Sequence, residues 1–384
     1  MKIAIDLTPL YGRKWTGVEL YAIDLYHALL ELNYEVIPIF HVKNDLDDNP
    51  NSYIIKPTKR LLLENLALSK AIRTIKADVA LFPIFPPPVD AYFCCKTKIM
   101  PTIHDLAFLK YRSTINFAAK YYLTPKNLWA FKKADTLITI SGTVKKQLQH
   151  YTQLTIKNWG ENISSDFRKE NLSINANCLN DFGLQPDKYY ISVSTIEPRK
   201  NLTYLLDIIR DELMQGDKKL VLVGRRGWEK SIRLQQQLNE LKQHIIFTEY
   251  VSMETLQSLY HYAYAFILMS LDEGFGRTPL EAIACGCKRI VVSDIDIFHE
   301  VLGENVNYLP LNDIGFCKAA FNRNKWEETP KMFKVPFDAL EEKVNGTEKK
   351  KETKTTEAQS VQETEGTSSA DEEFESPEGA KIVG

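Results

Sequence analysis

The sequence predicts an α/β protein built from two Rossmann-like, doubly wound domains in series that face a central cleft, followed by a disordered C-terminal tail. Three observations carry this reading. Short apolar runs alternate with helical patterns from the first residues onward, the signature of βαβ units and a parallel sheet. The alternation pauses once, over residues 160–188, which are rich in Asn, Ser and Asp, and then resumes. At 384 residues the chain exceeds what one hydrophobic core usually covers, and its 44% hydrophobic content suffices for two.

The elements follow in order. Ile3–Leu7 reads as the first strand, Thr8 to Gly17 as a loop, and Val18, Tyr21, Leu25, Ala28, Leu29 and Leu32 share one helix face. Further strands are expected at Glu35–Phe40, Val79–Pro83, Ile99–Ile103 and Thr136–Ile140, with a helix over Arg60–Lys76. A first domain over residues 1–165 and a linker over 166–188 precede the second domain, 189–325. Its strands are Tyr189–Ser194, Leu220–Gly224, Ile245–Phe247, Ala265–Met269 and Arg289–Ser293. Its helices are Leu202–Leu213, Glu229–Leu241, Glu254–Ala263 and Pro279–Cys285. Residues 326–340 would form a crossover helix back to the first domain, interrupted by Pro330 and Pro336. From Glu341 to Gly384 the chain is Glu, Lys, Thr and Ser with few large apolar residues, so it cannot bury enough surface to fold.

Composition narrows the function classes. No apolar run approaches the length that spans a bilayer, and Met1–Asp6 reads straight into a strand, which predicts a cytoplasmic protein. The six cysteines include adjacent Cys94 and Cys95 and the pair Cys285 and Cys287 around one glycine, without zinc-type spacing, so free thiols are expected. The net charge of −2 hides an asymmetry: residues 1–169 hold 23 Lys+Arg against 15 Asp+Glu, while residues 341–384 hold 6 against 12. A basic first half suits an anionic membrane surface or another polyanion, and equally a solvated surface. Within it, Lys56, Lys59, Arg60, Lys70, Arg73 and Lys76 accompany Leu61, Leu62, Leu63, Leu66 and Leu68, a segment that could lie on anionic lipid or pack on the sheet. No nucleic acid partner is expected.

Ligands of open α/β sheets bind at the carboxyl ends of strands, so residues just after strands are the informative ones. Ser194-Thr195-Ile196-Glu197-Pro198-Arg199-Lys200-Asn201 ends a strand and starts a helix with two adjacent cations, an anion site or a solvated helix start. Glu273-Gly274-Phe275-Gly276-Arg277-Thr278-Pro279-Leu280-Glu281 is again strand, glycine turn and helix. The glycines let amides approach a phosphate, and carboxylates suit sugar hydroxyls, although a plain tight turn reads the same way. Thr102-Ile103-His104-Asp105 ends a strand of the first domain and aims at the same cleft.

Taken together and in this order, these segments resemble the large retaining GT-B glycosyltransferase family, group 1 of the glycosyl transferases, which includes mannosyl-, rhamnosyl- and glucosyltransferases of polysaccharide assembly. The resemblance covers residues 1–330 and includes the Thr16-Gly17-Val18 loop, Ala134–Ser141, Glu197–Asn201 and the Glu-x7-Glu pattern from Glu273 to Glu281. It implies that Arg199 and Lys200 hold the donor diphosphate, with amides around Gly274, Phe275, Gly276, Arg277 and Thr278 adding to that site. By the same resemblance Glu273 holds the transferred sugar, Glu281 the ribose, and Tyr250 borders the base. His104 lies near the transferred sugar as a catalytic residue with Glu273, and Gly17 lets the first-domain loop approach the donor. Thr195 stands where many members carry a further arginine. Glu249 replaces a usual glycine, and Lys288-Arg289 a usual Pro-Val.

The implied activity is hexosyl transfer with retention, from a nucleotide diphosphate sugar to a glycan, lipid-linked or protein acceptor, with no cofactor and no metal. The alternative is a catalytically inactive GT-B partner subunit or chaperone of another glycosyltransferase. The four charged residues Arg199, Lys200, Glu273 and Glu281 favour the enzyme.

Overall fold

In the first half, β-branched and aromatic runs too apolar for a one-sided sheet form parallel strands buried on both faces. The computed structural model describes residues 1–11, 16–42, 49–56, 66–94, 96–111, 119–227, 229, 231–323, 326–329, 333, 335–336 and 343–344. Strands β1 (Lys2–Asp6), β2 (Glu35–Phe40), β3 (Tyr53–Ile54), β4 (Val79–Phe82), β5 (Lys98–Ile103), β6 (Leu137–Thr139) and β7 (Ile156–Asn158) order as β3-β2-β1-β4-β5-β6-β7, all parallel. Helices α1 (Gly17–Glu31), α2 (Leu68–Ile75), α3 (Ala91–Cys94), α4 (Ala107–Lys110), α5 (Thr124–Lys133) and α6 (Gly142–Leu148) accompany them. The α1 start is a capping box, with the Thr16 amide donating to Glu19 Oε2 at 3.0 Å. Its buried face holds Tyr21, Leu25, Ala28 and Leu29 of the set expected from spacing.

The second sheet repeats the plan with β8 (Tyr189–Val193), β9 (Lys219–Val223), β10 (Ile245–Glu249), β11 (Ala265–Leu268), β12 (Ile290–Ser293) and β13 (Asn307–Leu309), ordered β10-β9-β8-β11-β12-β13. Its helices are α7 (Leu202–Gln215), α8 (Ile232–Glu240), α9 (Met253–His261), α10 (Arg277–Ala284), α11 (Asp296–Leu302) and α12 (Ile314–Arg323). Leu205, Leu206 and Ile209 of α7 pack with Leu220 and Leu222 of β9 and with Cys317 and Phe321 of α12. Strand order reverses between β1 and β4 in one sheet and between β8 and β11 in the other, and such switch points hold ligands.

Several expectations shift. The helix expected over Arg60–Lys76 is seen as α2 from Leu68, ending at Lys76 in the left-handed region (φ 54°); residues 57–65 lie outside the described residues. Of the leucines expected on a membrane segment, Leu68 is core, Leu66 is exposed and Leu61–Leu63 are not described. Three strands (β3, β7, β13) and six helices (α3, α4, α5, α6, α11, α12) were not expected from the sequence, most of them too short to show a period. The span 166–188 holds short 3-10 turns that dock on α9: the Ser173 amide donates to Gln257 Oε1 at 2.8 Å and the Asn175 amide to Ser258 Oγ at 2.9 Å.

Residues 326–329, 333, 335 and 336 are not helical. Arg289 Nη2 pairs with Glu328 at 2.8 Å, and the Ile163 amide donates to the Pro336 carbonyl at 3.1 Å. The return toward residue 163 is thus made without helix at the described positions, consistent with two prolines that cannot donate to a helical ladder. Residues 1–341 form one compact unit; of the tail only Lys343 and Val344 are described. Cys178, Cys285, Cys287 and Cys317 are free thiols.

Candidate functional site

The carboxyl ends of β1, β5, β8 and β11 converge on a cleft of about 290 Å³. Eleven of the sequence-derived candidates line it: Gly17, His104, Thr195, Arg199, Lys200, Glu273, Gly274, Phe275, Gly276, Arg277 and Thr278. Tyr250 and Glu281 do not line it. Tyr250, 45% exposed, follows β10 after Glu249, whose φ is 54°. Glu281 is buried and accepts the Tyr260 hydroxyl at 3.0 Å.

A buried charge cluster forms the floor. Glu273 takes Lys200 Nζ at 2.5 Å and the Ser270 hydroxyl at 2.6 Å on Oε1, and Arg199 Nη1 at 3.0 Å on Oε2. Arg199 also reaches Glu197 Oε1 at 2.9 Å and the Asp272 carbonyl at 2.8 Å, while its own carbonyl accepts the Leu271 amide at 2.8 Å. The 3-10 turn Pro198–Lys200, closed by Asn201 in the left-handed region, puts both cations on one side of the strand end. Burial alone would raise the Glu273 carboxyl, but the Lys200 and Arg199 charges outweigh it and hold it at about 2. Against its desolvation, Glu273, Asp105 and Glu197 in turn hold the partly buried Arg199 guanidinium firmly charged.

Glycine is needed where the two halves of the molecule meet. A Cβ on Gly274 would lie 2.2 Å from the His104 carbonyl oxygen, and the Gly274 carbonyl itself accepts the Ser141 hydroxyl at 2.8 Å. Gly276 caps α10 with φ 93°, where a Cβ would meet the Phe298 ring at 2.8 Å. His104 sits against the edge of Tyr21 and within 2.6 Å of the Pro83 carbonyl. A carbonyl only accepts, so Nε2 carries the proton. Burial pushes the imidazole pKa below its usual value, so the ring is neutral with Nδ1 as acceptor.

Arg277 crosses the cleft from the second half to the first. Its Nη1 is 3.1 Å from Glu161 and 3.6 Å from Asp24, and its Nε is 3.9 Å from Glu281. The guanidinium is therefore engaged by three carboxylates. Burial pushes the Glu161 carboxyl up to about 7, against the pull of Arg277, with Asp24 and Glu281 adding to the rise. Lys110 Nζ pairs with Asp272 at 3.0 Å, and Glu300 of α11 accepts the Gly142 and Thr143 amides at the start of α6, both at 2.6 Å.

Sequence reasoning missed Glu161, Arg225 and the role of Ser270. Glu161 follows β7, a strand too short to stand out, and falls in the stretch 160–188 where the alternation pauses. Arg225, an exposed cation of the cleft, follows β9, so strand-end position alone would have marked it. Two Asp-x-Asp triplets exist: Asp45–Asp47 lies outside the described residues, and Asp294–Asp296 lies away from the cleft, with Asp294 on His299 at 2.7 Å.

Residues 180–324 match the family model described as Glycosyl transferases group 1. The O-antigen chain mannosyltransferase RfbU of Salmonella typhimurium is 29% identical over 216 residues, covering 55% of this chain and 56% of that protein. The serotype-specific mannosyltransferase WbdA of Escherichia coli is 27% identical over 297 residues, 70% of this chain and 34% of that protein. This chain thus spans about half or less of the length of these curated relatives. Among solved structures, Anabaena Alr3699/HepE in complex with UDP-glucose superposes with a TM-score of 0.62 at 15% identity, over 84% of this chain and 89% of that one. At that identity the likeness bears on the fold alone, and that fold, two parallel sheets with helices of the GT-B type, is the one expected from the sequence.

Proposed function

We propose that this chain, whose residues 180–324 carry the group 1 glycosyl transferase domain, is a glycosyltransferase that moves a hexosyl group from a nucleotide diphosphate sugar to a hydroxyl of a glycan, lipid-linked or protein acceptor, with retention. The observation that carries it is the pairing of Arg199 and Lys200 with Glu273 at the switch point of the second sheet. Two adjacent cations and the glycine turn before α10 suit a diphosphate, and an ionised carboxylate between them suits sugar hydroxyls. The likeness to O-antigen mannosyltransferases favours mannose as the sugar and a polysaccharide as the product.

In this reading the diphosphate enters over Arg199 and Lys200, and these cations with the α10 amides take the charge that builds on the leaving group. No cofactor or metal is required for that role. The bond from the anomeric carbon to the phosphate oxygen breaks on the same face on which the acceptor oxygen bonds, and the acceptor proton passes to the leaving phosphate. Neutral His104 supplies an acceptor at Nδ1 rather than a positive charge beside the developing cation. Glu273 stays ionised throughout the neutral range and orients the sugar.

Titration of the chain with UDP, GDP and their sugars, followed by transfer assays, tests this. Lys200→Ala should weaken nucleotide diphosphate binding about 10- to 100-fold, the loss of one charge-assisted bond of roughly 1.5–3 kcal/mol. Glu273→Ala should keep free nucleotide binding and lose transfer. Unchanged diphosphate affinity in both Lys200→Ala and Arg199→Ala would refute the site.

A further inference from the structure

The two halves of the molecule meet across the cleft through charged contacts of two kinds. Lys110 on Asp272, and Glu300 on the Gly142 and Thr143 amides, are half-buried or exposed, and such contacts contribute modestly. The Arg277 cluster is of the other kind. Its guanidinium and the carboxylates of Glu161 and Glu281 are more than nine-tenths buried, with Asp24 half-buried beside them. Arg277 Nη1 serves Glu161 and Asp24 from the first half, while Nε, 3.9 Å from Glu281, and Nη2 have no hydrogen-bond partner among the described residues.

Charge does not balance here: one guanidinium faces three carboxylates. Tyr21 of α1, which also acts on Glu161, stays neutral because burial pushes its hydroxyl pKa up, and neutral His104 adds no cation. The other cations lining the cleft are Arg199 and Lys200, which hold Glu273, and exposed Arg225. The guanidinium already fills the place between the carboxylates, so the excess of negative charge is relieved by a proton on one of them. Glu161 is placed to take it. At 3% exposure it is the most buried of the three, and it lines the cleft. Burial above all, then the Asp24 and Glu281 charges, push its carboxyl up to about 7 against the pull of Arg277.

We propose that Arg277 with Asp24 and Glu161 is a clasp that holds the two halves closed over the cleft, and that closing it takes up a proton at Glu161. Arg277 and Glu161 are then positioning residues, acting through α10. Arg277 is the first residue of that helix and stands between Gly276 and Thr278, which line the cleft, so fixing the guanidinium on the first half fixes the helix start above the cleft that His104 lines from the other side. When the halves part, Glu161 meets water and gives up the proton at neutral pH. A diphosphate would bring more negative charge into the cleft that Glu161 lines, so binding it and protonating Glu161 favour each other by the same factor. That coupling rests on the transferase reading, whereas the clasp does not.

Calorimetric titration of the full chain with UDP and with GDP at pH 7.5, in buffers of different ionisation enthalpy, counts the protons exchanged. Binding should take up roughly half a proton per site in the parent and none in Glu161→Gln. Glu300→Ala, at the exposed contact, should keep the parent's count. Uptake absent from the parent, or persisting in Glu161→Gln, refutes the proton link. Small-angle X-ray scattering at pH 6 and pH 8.5 reads the clasp without nucleotide. Closing should weaken about tenfold over that interval, giving the parent a larger radius of gyration at pH 8.5, and Glu161→Gln should remove the difference. Arg277→Ala should be the more open form at both pH values, with Arg277→Lys between it and the parent. A parent profile blind to pH, a pH difference that survives Glu161→Gln, or an Arg277→Ala profile equal to the parent's overturns the clasp. Failure of both nucleotides to bind sinks the transferase reading instead, and the scattering then decides the clasp by itself.

Discussion

Replacing Glu161 by glutamine should change how stability depends on pH, because the Glu161 carboxyl is the buried acid displaced into the physiological range. Its pKa rises from an ordinary 4.5 to about 7 on folding, chiefly by burial, so the folded state holds the proton more tightly than the unfolded one. A raised pKa contributes stability that is fully present below about 4.5 and is lost as pH climbs through about 7. The displacement corresponds to about 3 kcal/mol. Glu273 has the opposite sign. Held at about 2 by Lys200 and Arg199 against burial, it contributes stability above 4.5 that is lost only as pH falls toward 2, so its window does not overlap that of Glu161. Glutamine at 161 is nearly isosteric, keeps an acceptor for Arg277 and cannot ionise. Urea unfolding followed by circular dichroism at pH 5, 6, 7 and 8 should show the variant gaining on the parent as pH rises, then levelling above pH 7. Parallel midpoint curves across that range would refute the argument, because they would mean that Glu161 titrates alike in the folded and unfolded chain.

Gly274→Ala should destabilise by roughly 1–3 kcal/mol, the usual cost of overpacking, and reduce transfer, since its Cβ would press on the His104 carbonyl at 2.2 Å; thermal unfolding and donor affinity report it, and parent-like values in both would contradict the close approach. Glu300→Ala strips the acceptor from the Gly142 and Thr143 amides and should cost about 1 kcal/mol, read as a lowered denaturation midpoint that Glu300→Asp restores at least partly. Truncation after Lys343 should leave nucleotide binding unchanged, as the composition of the tail implies; loss of binding by calorimetry would show the tail to be a working part.

Much of the site was legible before any coordinates. Alternating apolar runs and helical periods placed both sheets, because a parallel sheet covered on both faces requires continuous buried strands joined by crossover helices. Strand-end position then singled out Arg199, Lys200, Glu273 and His104, and these side chains do share one cleft. The pattern failed where elements were short. Three-residue strands such as β7 carry no measurable period, which hid Glu161, and a two-residue strand such as β3 carries none at all.

The sequence by itself determined which residues could carry charge to the carboxyl ends of the strands, since local spacing decides strand, turn and helix start. Only the tertiary structure decided their partners. Arg277 follows the glycine turn, where its backbone amide is expected to face the donor diphosphate, and its side chain spans the cleft to Glu161 and Asp24. Those carboxylates lie 116 and 253 positions away along the chain, a separation that no local pattern encodes. Glu281, spaced for a ligand, accepts the hydroxyl of Tyr260 from another helix.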